Sequence, residues 1–158
     1  MTVDIASAAI DFQDWSGLLE LLHAAFAFHA GRIDPPSSLH QFDATSIAFK
    51  AKEEELFVAV EGNELLGCVF AKSQGRALYI GKFAVRPDRQ GQGIGRRLIG
   101  AVEAYAQHTG HDALELKTRI ELTENHRAFA ALGFVKIGEH SHPGYDRNTS
   151  ITMRKALA

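Results

Sequence analysis

One cysteine, Cys68, is all that this chain of 158 residues contains. No disulfide can close within it, and the thiol falls in an apolar stretch, Leu65 to Phe70, where it reads as packed rather than nucleophilic. No apolar run approaches the roughly 18 residues that a bilayer span needs. The first residues, Met1-Thr2-Val3-Asp4-Ile5, lack the basic region and long apolar core of a secretory leader. Together these shortages point to a cytoplasmic protein with no membrane partner. An excess of either charge is missing too: 17 Lys and Arg against 19 Asp and Glu leave a formal net charge of −2. Nucleic acid is therefore not expected as a partner, and a strongly acidic pocket for polyamines is disfavoured. What remains is ordinary for a globular protein, with 46% hydrophobic and 23% charged residues, and the length suits a single domain over residues 1–158.

Hydrophobic period organises the chain. Thr2 to Ala9 alternates as a first strand. Asp14 is placed to cap a helix that carries Leu18, Leu22, Ala25 and Phe26 at helical spacing and ends by Gly31. Pro35 and Pro36 force a loop, after which Ser37 or Ser38 caps a second helix through about Phe49. Leu56–Val60 and Leu65–Phe70 flank Glu61-Gly62-Asn63-Glu64, a hairpin signal whose two carboxylates read as solvated. Ala77 to Val85 is a further strand. A helix follows with Ile94, Leu98, Ala101, Val102 and Tyr105 on one stripe, closing at His108-Thr109-Gly110. Ala113–Thr118 is a strand, Thr123–Leu132 a short helix closed by Gly133, and Val135–His140 and Ser150–Arg154 are the last two strands. The order is β, α, α, β, β, β, α, β, α, β, β, an α/β arrangement with helices on both faces of a mixed sheet of about seven strands.

The most informative stretch is Val85-Arg86-Pro87-Asp88-Arg89-Gln90-Gly91-Gln92-Gly93-Ile94-Gly95-Arg96-Arg97. A strand runs into glycines spaced two apart, and a helix begins at once. Glycines let the backbone approach an anion, and the first helical N–H groups have no intrahelical partner, so the segment suits a pyrophosphate. Arg86, Arg89, Arg96 and Arg97 add positive charge around it. The dinucleotide pattern of three glycines fails, because its third glycine would fall at Arg96. The nucleoside-triphosphate loop fails as well, since no Gly-Lys-Ser/Thr occurs.

What fits is Gln90-x-x-Gly93-x-Gly95 preceded by Ala84-Val85-x-Pro87. This resembles the coenzyme A signature of the GNAT family of N-acetyltransferases. Glu124-Asn125-His126-Arg127-Ala128-Phe129-Ala130-Ala131-Leu132-Gly133-Phe134 resembles the family's second recognisable element, and the order of elements matches its fold. The resemblance covers residues 53 to 140 well and the N-terminal third in element order alone. It implies acetyl-CoA as donor, a small-molecule or peptide amine as acceptor, and a homodimer as one assembly. It assigns the donor to Phe83, Ala84 and Val85 on the strand and to Gln90, Gly91, Gln92, Gly93, Ile94, Gly95, Arg96 and Arg97 beyond it. On the later helix it assigns Asn125, beside the pantetheine arm, and Phe129. It also implies an oxyanion donor among the N–H groups of Phe83 to Val85, where the family's strand splays from its neighbour. Asn125 is equally explained as a polar residue satisfying backbone groups in a first helical turn.

The family's usual proton-transfer residues are missing. No Tyr lies between 126 and 132, and Ile80-Gly81-Lys82 holds no acid. Tyr145, on the loop between the last two strands, is the remaining phenol for a catalytic acid; the alternative is a ring that anchors the loop. Arg32 and Asp34, on the loop with two prolines, would suit the carboxylate and ammonium of one acceptor; the alternative is a plain connector. His23 and His126 are further candidates for moving a proton; the alternative is a structural histidine on a helix. The histidine spacings give no metal set: His23 and His29 fall on different helix faces, and no carboxylate completes His140 and His142. Direct attack of the amine on the thioester is expected, since the one cysteine lies away from the loop. An acyl-CoA sensor that has lost catalysis, or a transferase of longer acyl chains, are the competing readings.

Overall fold

The computed structural model describes residues 2–157. Its seven strands form one sheet in the order β1-β2-β3-β4-β5-β7-β6, built from β1 (Asp4–Ser7), β2 (Glu55–Glu61), β3 (Glu64–Gln74), β4 (Ala77–Val85), β5 (Ala113–Arg119), β6 (Val135–His140) and β7 (Ser150–Ala156). All neighbours are antiparallel except β4 and β5, which run parallel. The helices are α1 (Trp15–Phe26), α2 (Ala44–Glu53), α3 (Ile94–His108) and α4 (Thr123–Ala131).

Each face of the sheet buries its own apolar cluster. Leu66, Leu78, Ile80 and Leu114 pack with Ile94, Leu98 and Val102 of α3, and Phe129 of α4 joins them at the rim. Leu56, Val58, Cys68 and Phe70 pack on the opposite face with Leu18 and Leu22 of α1 and Ile47 of α2. Burying each such Leu or Ile stabilises the fold by about 1.5–3 kcal/mol. The apolar stripe read from residues 94 to 105 is thus the face that seats α3 on the sheet.

Caps explain the helix limits. Asp14 accepts from the Gly17 N–H at 3.1 Å, as its position suggested. The second helix differs from the expectation. Ser37 caps only a single 3-10 turn, Ser38–Gln41, and α2 begins at Ala44. Asp43 accepts from Ser46 N at 2.8 Å while Ser46 Oγ accepts from Asp43 N at 2.9 Å. This reciprocal box supersedes the serines as the start signal because it satisfies two orphan donors at once.

Two features of the sheet shape the site. β4 and β5 pair only at Ala77–Ala113, Leu78–Leu114 and Tyr79–Glu115. Beyond Tyr79 the edge of β4 that faces β5 has no ladder partner. On its other edge β4 carries an extra residue: Gly81 pairs with Phe70 and Ala84 with Cys68, so two β4 residues oppose Val69 alone. Lys82, in this bulge, has φ +50°, a conformation that a side chain other than glycine adopts only when its surroundings hold it there.

Gly67 leaves room on the sheet for Leu98 and Ile94 of α3. A Cβ there would meet Ala84 O and Leu98 Cδ1, both at 2.9 Å. Gly67→Ala should destabilise the fold by about 1–3 kcal/mol through overpacking. Urea unfolding checks this; an unchanged midpoint would contradict the packing described.

Candidate active site

β4 ends at Val85 and the chain turns through Pro87–Arg89 into the glycine loop. Gly91 and Gly93 both have left-handed backbones, φ +80° and +83°, and open space lies where a side chain would project. Gly93 caps α3 with no side chain in the way. The first helical bond runs from Arg97 N to Gly93 O at 3.1 Å, leaving the N–H groups of Ile94, Gly95 and Arg96 outside the intrahelical ladder.

The hairpin braces this loop. Arg89 donates from both terminal nitrogens to Glu61, at 3.1 and 3.2 Å, a bidentate pair that holds the Glu61 carboxyl below its ordinary range. Arg86 pairs with Glu64 and with Asp88. The two hairpin carboxylates, expected to be solvated, therefore anchor two of the four arginines. Arg97 is also engaged, donating to Val3 O at 2.9 Å. Of the four arginines only Arg96 lines the groove without an ion pair among the described residues. Loop positive charge is accordingly smaller than the composition suggested, and the free main-chain N–H groups of Ile94, Gly95 and Arg96 lie at residues that line the groove.

A groove of about 580 Å³ runs between the loop and α4. Phe83, Ala84, Val85, Gln90, Gly91, Gly93, Ile94, Gly95, Arg96, Asn125 and Phe129, all expected at the donor site, line it. Gln92 and Arg97 do not: Gln92 accepts from Arg89 Nε at 3.0 Å, and Arg97 faces β1. Gln90 donates to Val85 O at 3.2 Å, which ties the loop to the strand end.

A second cavity, about 620 Å³, lies between the parted strands and the loop with two prolines. Phe26, His29, Phe83, Asn125 and Phe129 line both spaces, so the groove and the cavity meet at the place where β4 leaves β5. Pro35, Pro36, Ser37 and Ser38 form one wall of the cavity.

Arg32 and Asp34 are directed elsewhere. Arg32 pairs with Glu124 at 2.7 Å. Asp34 accepts from the Tyr145 phenol at 2.6 Å, which raises the phenol above its ordinary range. The Asp34 carbonyl accepts from Arg147 at 2.9 Å. Neither Arg32, Asp34 nor Tyr145 lines either space, and the Tyr145 phenol ties its loop to Asp34.

His29, weighed in the sequence only as a metal ligand, lines both the groove and the cavity. Its ring stacks on Phe26, centroids 5.2 Å apart, and meets the edge of Phe28 at 4.3 Å. Its Nε2 is buried with no hydrogen-bond partner among the described residues. Burial, and then the Arg32 guanidinium, hold its pKa below the ordinary value of 6.5. Its only signal in sequence is a histidine at the frayed end of α1, within the 3-10 turn Ala27–His29. His126 instead bonds Arg119 O at 2.9 Å. Cys68 is fully buried, and burial pushes its thiol up to about 12, which removes it as a nucleophile. Among the described residues no three His, Cys, Asp or Glu side chains group as metal ligands, and no helix is long and apolar enough to cross a membrane.

Comparison with known proteins agrees with this geometry. The model of the acetyltransferase (GNAT) family matches residues 15–134. An aminoglycoside N(6')-acetyltransferase type 1 from Stenotrophomonas maltophilia is 40% identical over 50 residues, 32% of this chain and 33% of that protein. The match thus spans about a third of the curated relative's length. Among solved structures, the PaiA N-acetyltransferase from Thermoplasma acidophilum, in complex with coenzyme A, is 15% identical. It superposes with a TM-score of 0.80 over 99% of this chain and 100% of that one. An acetyltransferase from Streptococcus agalactiae is 18% identical, with a TM-score of 0.75 over 98% of each chain. These two likenesses establish the fold, and the family model, matched over most of the chain, establishes the lineage: this protein belongs to the GNAT family of acetyltransferases.

Proposed function

We propose that the protein transfers an acetyl group from acetyl-CoA to a primary amine by direct attack on the thioester. One observation carries this reading. The groove beside the open glycine loop and the cavity beyond the parted strands meet at Phe83, so a thioester laid along the first reaches an amine held in the second. Acetyl-CoA would supply an acetyl group already activated for acyl transfer. Its diphosphate fits the N–H groups of Ile94, Gly95 and Arg96, where an anion completes bonds that α3 leaves unmade.

The chain's own groups divide the remaining work. The unpaired edge of β4 at Phe83–Val85 aims backbone N–H groups at the carbonyl oxygen as negative charge develops there. Holding donor and acceptor at the shared junction supplies about 7–11 kcal/mol of the barrier. In the balance a C–N bond forms, the C–S bond breaks, and the amine gives up a proton. His29 Nε2, neutral because burial and Arg32 disfavour its charged form, accepts that proton. The departing sulfur is reprotonated from the same store. Cys68, held almost wholly as thiol, supports direct attack over an acyl-enzyme. A buried free thiol also suits the reducing cytoplasm, the compartment we assign to it.

Incubation with acetyl-CoA and a panel of amines should release free CoA thiol together with acetylated amine. Binding of acetyl-CoA without turnover of any amine would contradict the reading. Gly93→Glu puts a carboxylate and a strained backbone where the diphosphate sits, and calorimetry should show the heat of CoA binding lost while the fold persists; undiminished affinity would contradict the loop assignment. His29→Gln should lower kcat by about 10²–10⁴-fold with CoA affinity unchanged. Because the His29 pKa lies below 6.5, its loss should also remove a rise in wild-type kcat/KM at pH values below 6.5. Full activity in that variant would exclude His29 as proton acceptor.

A further inference from the structure

The charged lining of the acceptor-side cavity is of one sign. Lys50, Lys82, Lys117 and Arg119 face it, and no Asp or Glu does. Lys50 is neutralised by Glu54 at 2.6 Å. The other three have no ion-pair partner among the described residues.

Their polar contacts orient them without cancelling charge. Lys82 Nζ donates to Ser38 Oγ at 3.2 Å and lies 4.9 Å from the centre of the Phe42 ring. Arg119 donates to the carbonyl oxygens of Pro35 and Pro36. At the two histidines on the wall, burial lowers the pKa first; Arg32 and Arg119 lower His29 further against Glu124, and Arg119 and Lys117 lower His142 against Glu121.

Burial of Lys82 and Arg119 carries a desolvation cost that Glu54, and Glu121 and Asp34, offset only from beyond ion-pair distance, and an anion that enters beside them lowers it. A neutral acceptor would leave it in place, and a polycation would add like-charge repulsion. The volume, about 620 Å³, accommodates a molecule of amino-acid size or larger.

We propose that the acceptor is an amine that also bears an anionic group, a carboxylate or a phosphate-type oxyanion, held by Lys82, Lys117 and Arg119 while its nitrogen points to the junction at His29 and Phe83. This rests on the acetyl-transfer reading and narrows its substrate.

Four amines that share a short spacer separate the cases: 3-aminopropanoate, 2-aminoethylphosphonate, 3-aminopropanamide and 1,3-diaminopropane. At least one of the two anionic amines should exceed the amide and the diamine in kcat/KM by about 10–100-fold, the return on one or two hydrogen bonds to charged groups. Which of them leads identifies the oxyanion. Lys117→Glu, at an exposed position, should shrink or reverse the preference, and Lys117→Arg should restore it. Equal or better use of the amide or the diamine would overturn the proposal while leaving acetyl transfer standing. If all four are inert, the best acceptor from the broader amine panel decides: one without an anionic group overturns the proposal, and one with such a group supports it. If every amine fails while acetyl-CoA binds, the transfer reading falls, and this proposal with it.

Discussion

The site depends on β4 parting from β5 after three paired residues. A parallel pair that continued beyond Tyr79 and Glu115 would seal the sheet and leave no passage between its two sides. Several groups hold the strands apart. The bulge opposite Val69 re-aims β4, and Lys82 accepts an unfavourable backbone conformation within it. β5 keeps its other edge on β7 as far as Arg119–Ser150, so its course does not follow β4. The strain at Lys82 is offset by the ladder to β3, by the bond to Ser38 and by the Phe42 ring.

Two different surfaces meet at this opening. On the α3 side, Gly67 lets the helix seat closely, and its N-terminus is presented at the end of β4 by a loop whose arginines are tied down by Glu61 and Glu64. On the α1 and α2 side, the loop with two prolines is held over β5 by Arg119 and pinned from outside by Tyr145 and Arg147 through Asp34. The glycine-loop side is therefore ordered by main chain and short polar links, and the cavity on the other side is framed by cations. The same Arg119 is both a structural tie and one of those cations, so loop position and cavity charge are coupled through one side chain.

The strands, α3 and the glycine loop were legible because each has a strong local signal: alternation, a continuous helical stripe, glycines where the backbone is left-handed. The start of α2 was misplaced because Ser37 does cap a turn, but Phe42 turns extended and Asp43–Ser46 begins anew. The partnership of Glu61 with Arg89 joins residues 28 apart and has no periodic trace. The bulge is equally silent, since one extra residue leaves the apolar run intact. His29 is weighed in the sequence only as a metal ligand because its place at the junction of two cavities arises from the packing of α1 against the parted strands. The partners of Arg32 and Asp34, Glu124 and Tyr145, lie far along the chain and leave no local signal in the sequence.

If the exposed edge of β4 receives the thioester carbonyl, amide hydrogen exchange followed residue by residue will register it most directly. Free CoA should slow exchange at Ile94, Gly95 and Arg96 alone. Acetyl-CoA should slow it at those positions and also among Phe83, Ala84 and Val85. Identical exchange at Phe83–Val85 with both ligands would contradict the account, because the opening between β4 and β5 would then not be where the acetyl group lies.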